Sequence, residues 1–206
     1  MFTAWGYEID GSSIPPLLTV EAFDQLTGGK YAGDLRAASA LSAASQAVRN
    51  ACGWHVAPSL QCSYTAQRIG DAEGRPARLF ALPALLVTAV DSLTESGVEL
   101  SAGEYEWARD GLVRRCCWKC WPTAWNAVEA SYTAGFDAGA VPDLAEAVRA
   151  IAEGVIAIGG TAGVRSESAD GVTIAYNVDA SSIAAALTEQ QRAALSPYRL
   201  VRAYAA

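Results

Sequence analysis

The sequence predicts an α+β fold, mainly α-helical with a β-rich insertion, and three observations carry that prediction. Helical spacing of apolar residues dominates before residue 58 and again after residue 137. Between them the pattern changes to short strand-like runs, and an Asp-Gly pair there suits the primed turn of a tight hairpin. Trp107, Trp118, Trp121 and Trp125 concentrate in that same stretch, enough aromatic mass to give a small sheet its own core.

Taken in order, residues 1–16 mix glycines, serines and Pro15-Pro16, and read as a flexible arm or a strand that orders only against a neighbour. Thr19 is placed to cap a short helix that Gly28-Gly29 ends. A second helix, about 34–52, carries Leu35, Ala38, Leu41, Val48 and Cys52 near one face, with small Ser and Ala residues elsewhere. The strand-like region holds 79–82 and 85–90 around Pro83, which belongs at an edge or a strand start. A Ser-Gly turn then joins two short strands between Ser92 and Leu100. Tyr105–Trp107 and Leu112–Arg115 flank Arg109-Asp110-Gly111 as the clearest hairpin, and Val128–Thr133 supplies a last strand. Pro142 and Asp143 open a helix with a stripe of Leu144, Val148, Ile151, Val155 and Ile158, the first lacking an N–H and the second bringing negative charge where each is welcome. Residues 172–176 alternate like a strand, and Thr188 with Gln191 forms a capping box for a last helix, kinked or restarted at Pro197.

Composition bounds the function. With 206 residues the chain can bury one sizeable core, or a core with a small subdomain. Hydrophobic residues make up 51% of it, much of that alanine, so contacts with partners are expected to add stability. A formal charge of −7 argues against a tight electrostatic grip on DNA. No apolar run approaches the roughly 20 residues that span a bilayer, and the first residues lack the pattern of a signal peptide. Five cysteines without an export signal read as reduced thiols.

Four segments carry a family likeness: LTVEAFDQLTGGKYAGDLRAASALSAASQAVRNACGWHVAP (18–58), GVELSAGEYEWARDGLVRR (97–115), YTAGFD with its Pro-Asp-Leu helix start (132–144), and VRSESADGVTIAY (164–176). In this order they resemble the head–tail connector, or head completion adaptor, proteins of long-tailed phages and prophages. The resemblance implies a mainly helical connector core. Its parts would be a flexible arm (1–16), N-terminal helices (17–58), a β-rich insertion (59–136), a core helix (137–163), a loop and extended arm (164–186) and a C-terminal helix (187–206). It also implies a structural protein of the virion neck, assembled in the host cytoplasm, with no enzymatic role, cofactor or membrane. Such proteins form a ring, usually twelve-fold, beneath the portal protein. The ring extends the DNA channel, passes DNA without specific binding, and docks the next neck or tail-completion protein. Leu35, Leu41, Val48, Leu144, Val148, Ile151 and Val155 are then the expected core and subunit contacts. Arg165, Glu167, Val172, Ile174, Tyr176, Leu195, Leu200 and Tyr204 are the expected partner-docking residues.

Chemistry-bearing residues admit other readings. Cys52-x-x-His55 with Cys117-x-x-Cys120 has the ligand types of a zinc site, against which these cysteines read as small hydrophobes and His55 as a helix-ending residue. His55 is the one histidine, so any Ser–His or Cys–His catalysis must pass through it, and no oxyanion hole is evident nearby. Arg114, Arg115 and Lys119 interleave with Trp118 and Trp121, a patch suited to DNA or to acidic residues of a neighbouring subunit. The alternatives to a connector are another neck or tail-completion role, or a zinc- or carbohydrate-binding module built on the Trp-rich sheet.

Overall fold

The computed structural model describes residues 1–70, 74–159, 166–169, 172–175 and 187–200. The chain divides into a strand unit, Met1–Ile14 and Gly53–Asp137 with the chain from Tyr198, and a helical unit, Pro15–Cys52 and Ala138–Pro197. The expectation of a mainly helical protein is overturned. Among the described residues four α-helices stand beside ten strands, and the fold is a balanced α+β. Long Ala-rich helices give the louder sequence signal, whereas short strands gain their sheet only through partners distant in sequence. The bulk of the large buried side chains, including Trp54, Trp121, Tyr7 and Tyr132, lies in the strand unit.

The strand unit is built on a five-stranded antiparallel sheet. Its order is β1 (Glu8–Ile9), β2 (Leu60–Ala66), β8 (Val128–Ala134), β4 (Val87–Glu95) and β5 (Val98–Glu99). Residues 1–9 fold back on themselves, with Ile9 N–H donating to Met1 O at 2.9 Å, before β1 joins the edge of β2. The register Cys62↔Tyr132↔Val90 and Tyr64↔Ala130↔Leu93 puts apolar residues on one face. The intervening positions give the other face, in rows Glu8, Ser63, Ser131, Ser92 and Thr65, Glu129, Thr94, Glu99. Alternation of successive side chains makes this separation. The polar face carries hydroxyls and carboxylates and no cation at these positions.

A second, three-stranded sheet has the order β3 (Leu79–Ala81), β7 (Leu112–Arg115), β6 (Tyr105–Trp107). The hairpin falls where the Asp-Gly pair places it, but the turn is not the primed one. Gly111 N–H donates to Ala108 O at 2.9 Å around Arg109-Asp110, and of these only Gly111 takes a left-handed φ, +86°, as in a three-residue loop with a bulge. Arg115, at the end of β7, is buried and pairs with Glu95 of β4 at 3.2 Å. That ion pair ties the small sheet to the large one.

In the helical unit, α2 (Ala37–Cys52) buries Ala40, Leu41, Ala44, Ala47 and Val48 and packs on α3 (Pro142–Gly159). Small residues at the crossing bring the helices close, and Leu144, Val148, Ile151 and Ala152 complete the core. Arg36 donates to Ile156 O at 3.4 Å, a cation near the C-terminal end of α3. Thr19 caps α1 (Val20–Leu26), and Thr188 with Gln191 closes a capping box on α4 (Glu189–Leu195). Strands β9 (Ser166–Ala169) and β10 (Val172–Ala175) pair as a hairpin. Among the described residues no helix is long and apolar enough to cross a membrane.

Two buried protic groups on the apolar sheet face set an alkaline limit. Burial pushes the Cys62 thiol up to about 12, and burial foremost also raises the neighbouring Tyr132 phenol. Both are neutral when folded and ionise more readily when unfolded. The unfolded chain therefore holds fewer protons above its own thiol value near 9.0, and stability falls as pH rises from there toward 12. Urea denaturation at pH 8 and pH 10.5 is expected to show a lower midpoint at the higher pH (about 9 being the onset). Cys62→Ala should flatten that decline, and an equally steep one in the variant would refute the assignment.

Candidate functional site

Parts of two segments that carry the sequence likeness, residues 53–58 and 132–136, meet inside the strand unit. Gly53 to Pro58 lies against the end of β8 and the residues after it, Tyr132 to Phe136. His55 is fully buried, its backbone N–H donating to Tyr7 Oη at 3.0 Å. Tyr7 Oη, already accepting there, donates to Nδ1 at 2.8 Å, which leaves Nε2–H to donate to Ala134 O at 2.9 Å. Trp54 donates to Tyr198 O at 2.8 Å, and its ring meets His55 and Phe136 at centroid distances of 5.3 and 5.9 Å. Val56 holds a left-handed φ of +63°, and its carbonyl accepts from Phe136 N–H at 2.8 Å. His55 fastens this segment to Tyr7 and to the end of β8, and α2 already stops at Cys52 before it.

Both His55 ring nitrogens are engaged, Cys52 is buried at the end of α2, and Cys117 and Cys120 are exposed. Among the described residues no three His, Cys, Asp or Glu side chains group as metal ligands.

An exposed feature of the strand unit is a lobe made by residues 67–70 and 74–78 on one side and 116–127 on the other. They are fastened by Trp121 N–H to Ala77 O at 2.8 Å and Asn126 N–H to Gln67 O at 3.0 Å. Trp121 is buried and meets Phe80 edge-on at 4.9 Å, with the Arg115 guanidinium 5.6 Å from its ring. Trp118 and Trp125 face outward, 81% and 70% exposed. Arg78 lies over Trp118 at 4.7 Å and Arg68 over Trp125 at 6.0 Å. Cys117 and Trp118 both take left-handed φ values, +56° and +62°, where the loop reverses. A groove of about 370 Å³ runs beside Trp118, lined by Leu79, Arg78, Glu106 and Arg114 among others.

The expected basic patch is therefore split. Arg114 and Lys119 are exposed, and Arg114 is bound to Glu106 at 2.7 Å, whereas Arg115 points inward to Glu95 and Glu104. Arg78 and Arg68, in the other loop, complete the surface, and no local sequence signal linked them to it.

Of the expected subunit contacts, Leu41, Val48, Leu144, Val148 and Ile151 are buried in the helical unit's own core, and Val155 is half-buried. Leu35 precedes α2 and is 97% exposed. Of the expected docking residues, Leu195 is buried and Leu200 half-buried. Glu167, Val172 and Ile174 fall on the β9–β10 hairpin. Arg165, Tyr176 and Tyr204 lie outside the described residues.

Solved structures share this fold from end to end. A chain in the neck of a native gene transfer agent (GTA) particle, computed with C12 symmetry, superposes with a TM-score of 0.57 at 19% identity. One in the neck of an empty GTA particle, computed with C6 symmetry, gives 0.58 at 22% identity. One in the virion of a native GTA particle gives 0.56 at 22% identity. In each case 97% of this chain and 98% of the other are covered. No protein-family model and no curated protein matches the chain. The class defined is thus a fold, that of chains found in GTA necks and virions.

Proposed function

We propose that this protein is a structural component of the neck of a phage-like particle, acting there as a head–tail connector. The observation that carries the reading is the likeness over nearly the whole chain to chains of GTA necks. A partial match would suit a shared domain, whereas one covering 97% suits a shared role. The symmetric averaging of those necks supports a ring of copies, docked beneath the portal, extending the DNA channel and receiving the next neck protein. The surface suits assembly better than catalysis: large exposed apolar side chains, and a histidine locked in the core.

The test is recruitment. Tagged portal complexes from the same particle are expected to retain the full-length protein in several copies per portal, and cryo-electron microscopy of the eluate to show it as a ring. Absence of binding at every salt concentration tried would sink the reading.

A further inference from the structure

We propose that the Arg–Trp lobe docks on the polar face of the five-stranded sheet of a second copy of this chain. The proposal deepens the connector reading and rests on it for the assembly in which the contact operates. Charge singles out both surfaces. Over 67–78 and 116–127 the sequence has four cations, Arg68, Arg75, Arg78 and Lys119, against Asp71 and Glu73, while the nearby Arg114 and Arg115 are paired with Glu106 and Glu95. The chain as a whole carries −7, so the lobe is a basic island on an acidic protein. The polar sheet face offers the complement: Glu8, Glu99 and Glu129 are exposed on it among serines and threonines.

The chemistry of the lobe fits a protein partner. Exposed tryptophans overlaid by arginines are the composition of interface anchors, large apolar area with donors at its edge. Arg78 and Arg68 make no ion pair among the described residues and present guanidinium groups to incoming carboxylates. Duplex DNA is the poorer occupant, because Arg114 and Arg115 are already bound to Glu106 and Glu95. Few cations then remain for phosphates, and binding that rests on phosphates needs many. The two surfaces are different patches of one chain, so the contact is head-to-tail, the kind that closes into rings.

The protein supplies its own probe. Of its five cysteines, Cys52 and Cys62 are buried, Cys116 is half-buried, and the two exposed ones, Cys117 and Cys120, are both on the lobe. Ser63→Cys adds one thiol on the polar sheet face, between Glu8 and Ser131, and Glu21→Cys adds a control thiol on α1. Treated with a bismaleimide across a concentration series, the full-length S63C protein is expected to give a ladder of linked copies. E21C should give no more than the unmodified chain. Adding Arg78→Glu and Lys119→Glu should cut S63C linking at least about tenfold, as reversal of interfacial charges does. Glu99→Lys with Glu129→Lys, mixed with that reversed lobe, should restore it.

Equal linking in S63C and E21C, or linking untouched by lobe reversal, would overturn the proposal. So would a lobe reversal that weakens retention on DNA but leaves linking unchanged, which would make the lobe a nucleic-acid surface. The connector reading is judged apart, on portal recruitment of the unmodified chain. Recruited rings that link through another face refute the lobe contact alone, and lobe-linked copies that never join a portal refute the connector alone.

Discussion

Gly135→Ala is expected to lower the melting temperature by roughly 10 °C, a loss of about 3 kcal/mol or more. The backbone there has φ +121°, a conformation that L side chains rarely adopt. A Cβ would also stand 2.5 Å from Pro58 O and 2.9 Å from His55 Nε2. Neither neighbour has room to retreat. Pro58 O is backbone, and the imidazole is held between Tyr7 Oη and Ala134 O. Relief would break the His55–Ala134 hydrogen bond and leave buried polar groups unpaired, each costing about 1–3 kcal/mol. Gly97→Ala separates conformation from contact. Gly97 has φ +80° in the β4–β5 turn but nothing within 4 Å of a new Cβ, so its cost is about 1 kcal/mol. Thermal melts that place the two variants side by side would show the close approach at Gly135 to be unimportant.

That glycine marks how far local chemistry reached. YTAGFD stood out in the sequence, but its reason is tertiary: the segment is shaped to accept Pro58 and His55, which lie some 77 to 80 residues earlier. The capping box at Thr188, the turn at Gly111 and the stripe on α3 were legible, because each depends on residues a few positions apart. The balance of helix and strand was not, since β1, β2 and β8 acquire identity only by pairing across the chain. The basic patch shows a signal that was available but unused. Arg114 and Arg115 are neighbours on a strand, and alternation requires them to face opposite ways. One emerges beside Glu106, the other is buried against Glu95. Leu35 failed as a helix-face residue for a simpler reason: α2 starts two positions later, at Ala37.

The tryptophans give the second large expectation, because one substitution should have opposite consequences at two positions. Trp54→Ala removes a fully buried indole that touches His55 and Phe136 and donates to Tyr198 O. The cavity and the orphaned carbonyl together should cost about 3–5 kcal/mol. Trp118→Ala removes a side chain 81% exposed, whose packing partner is the Arg78 guanidinium. Its cost in stability should stay within about 0.5–1 kcal/mol, the worth of an exposed cation–π pair. Yet a monomer gains nothing from holding that much apolar surface in water, so the reason for Trp118 is sought in assembly. Urea denaturation of both variants, with mass measured by light scattering in the presence of portal complexes, separates the roles. Trp54→Ala should unfold early while its folded fraction still assembles. Trp118→Ala should melt like the unmodified protein and assemble poorly. If Trp118→Ala assembles normally, or melts as early as Trp54→Ala, the exposed indole is not an assembly anchor.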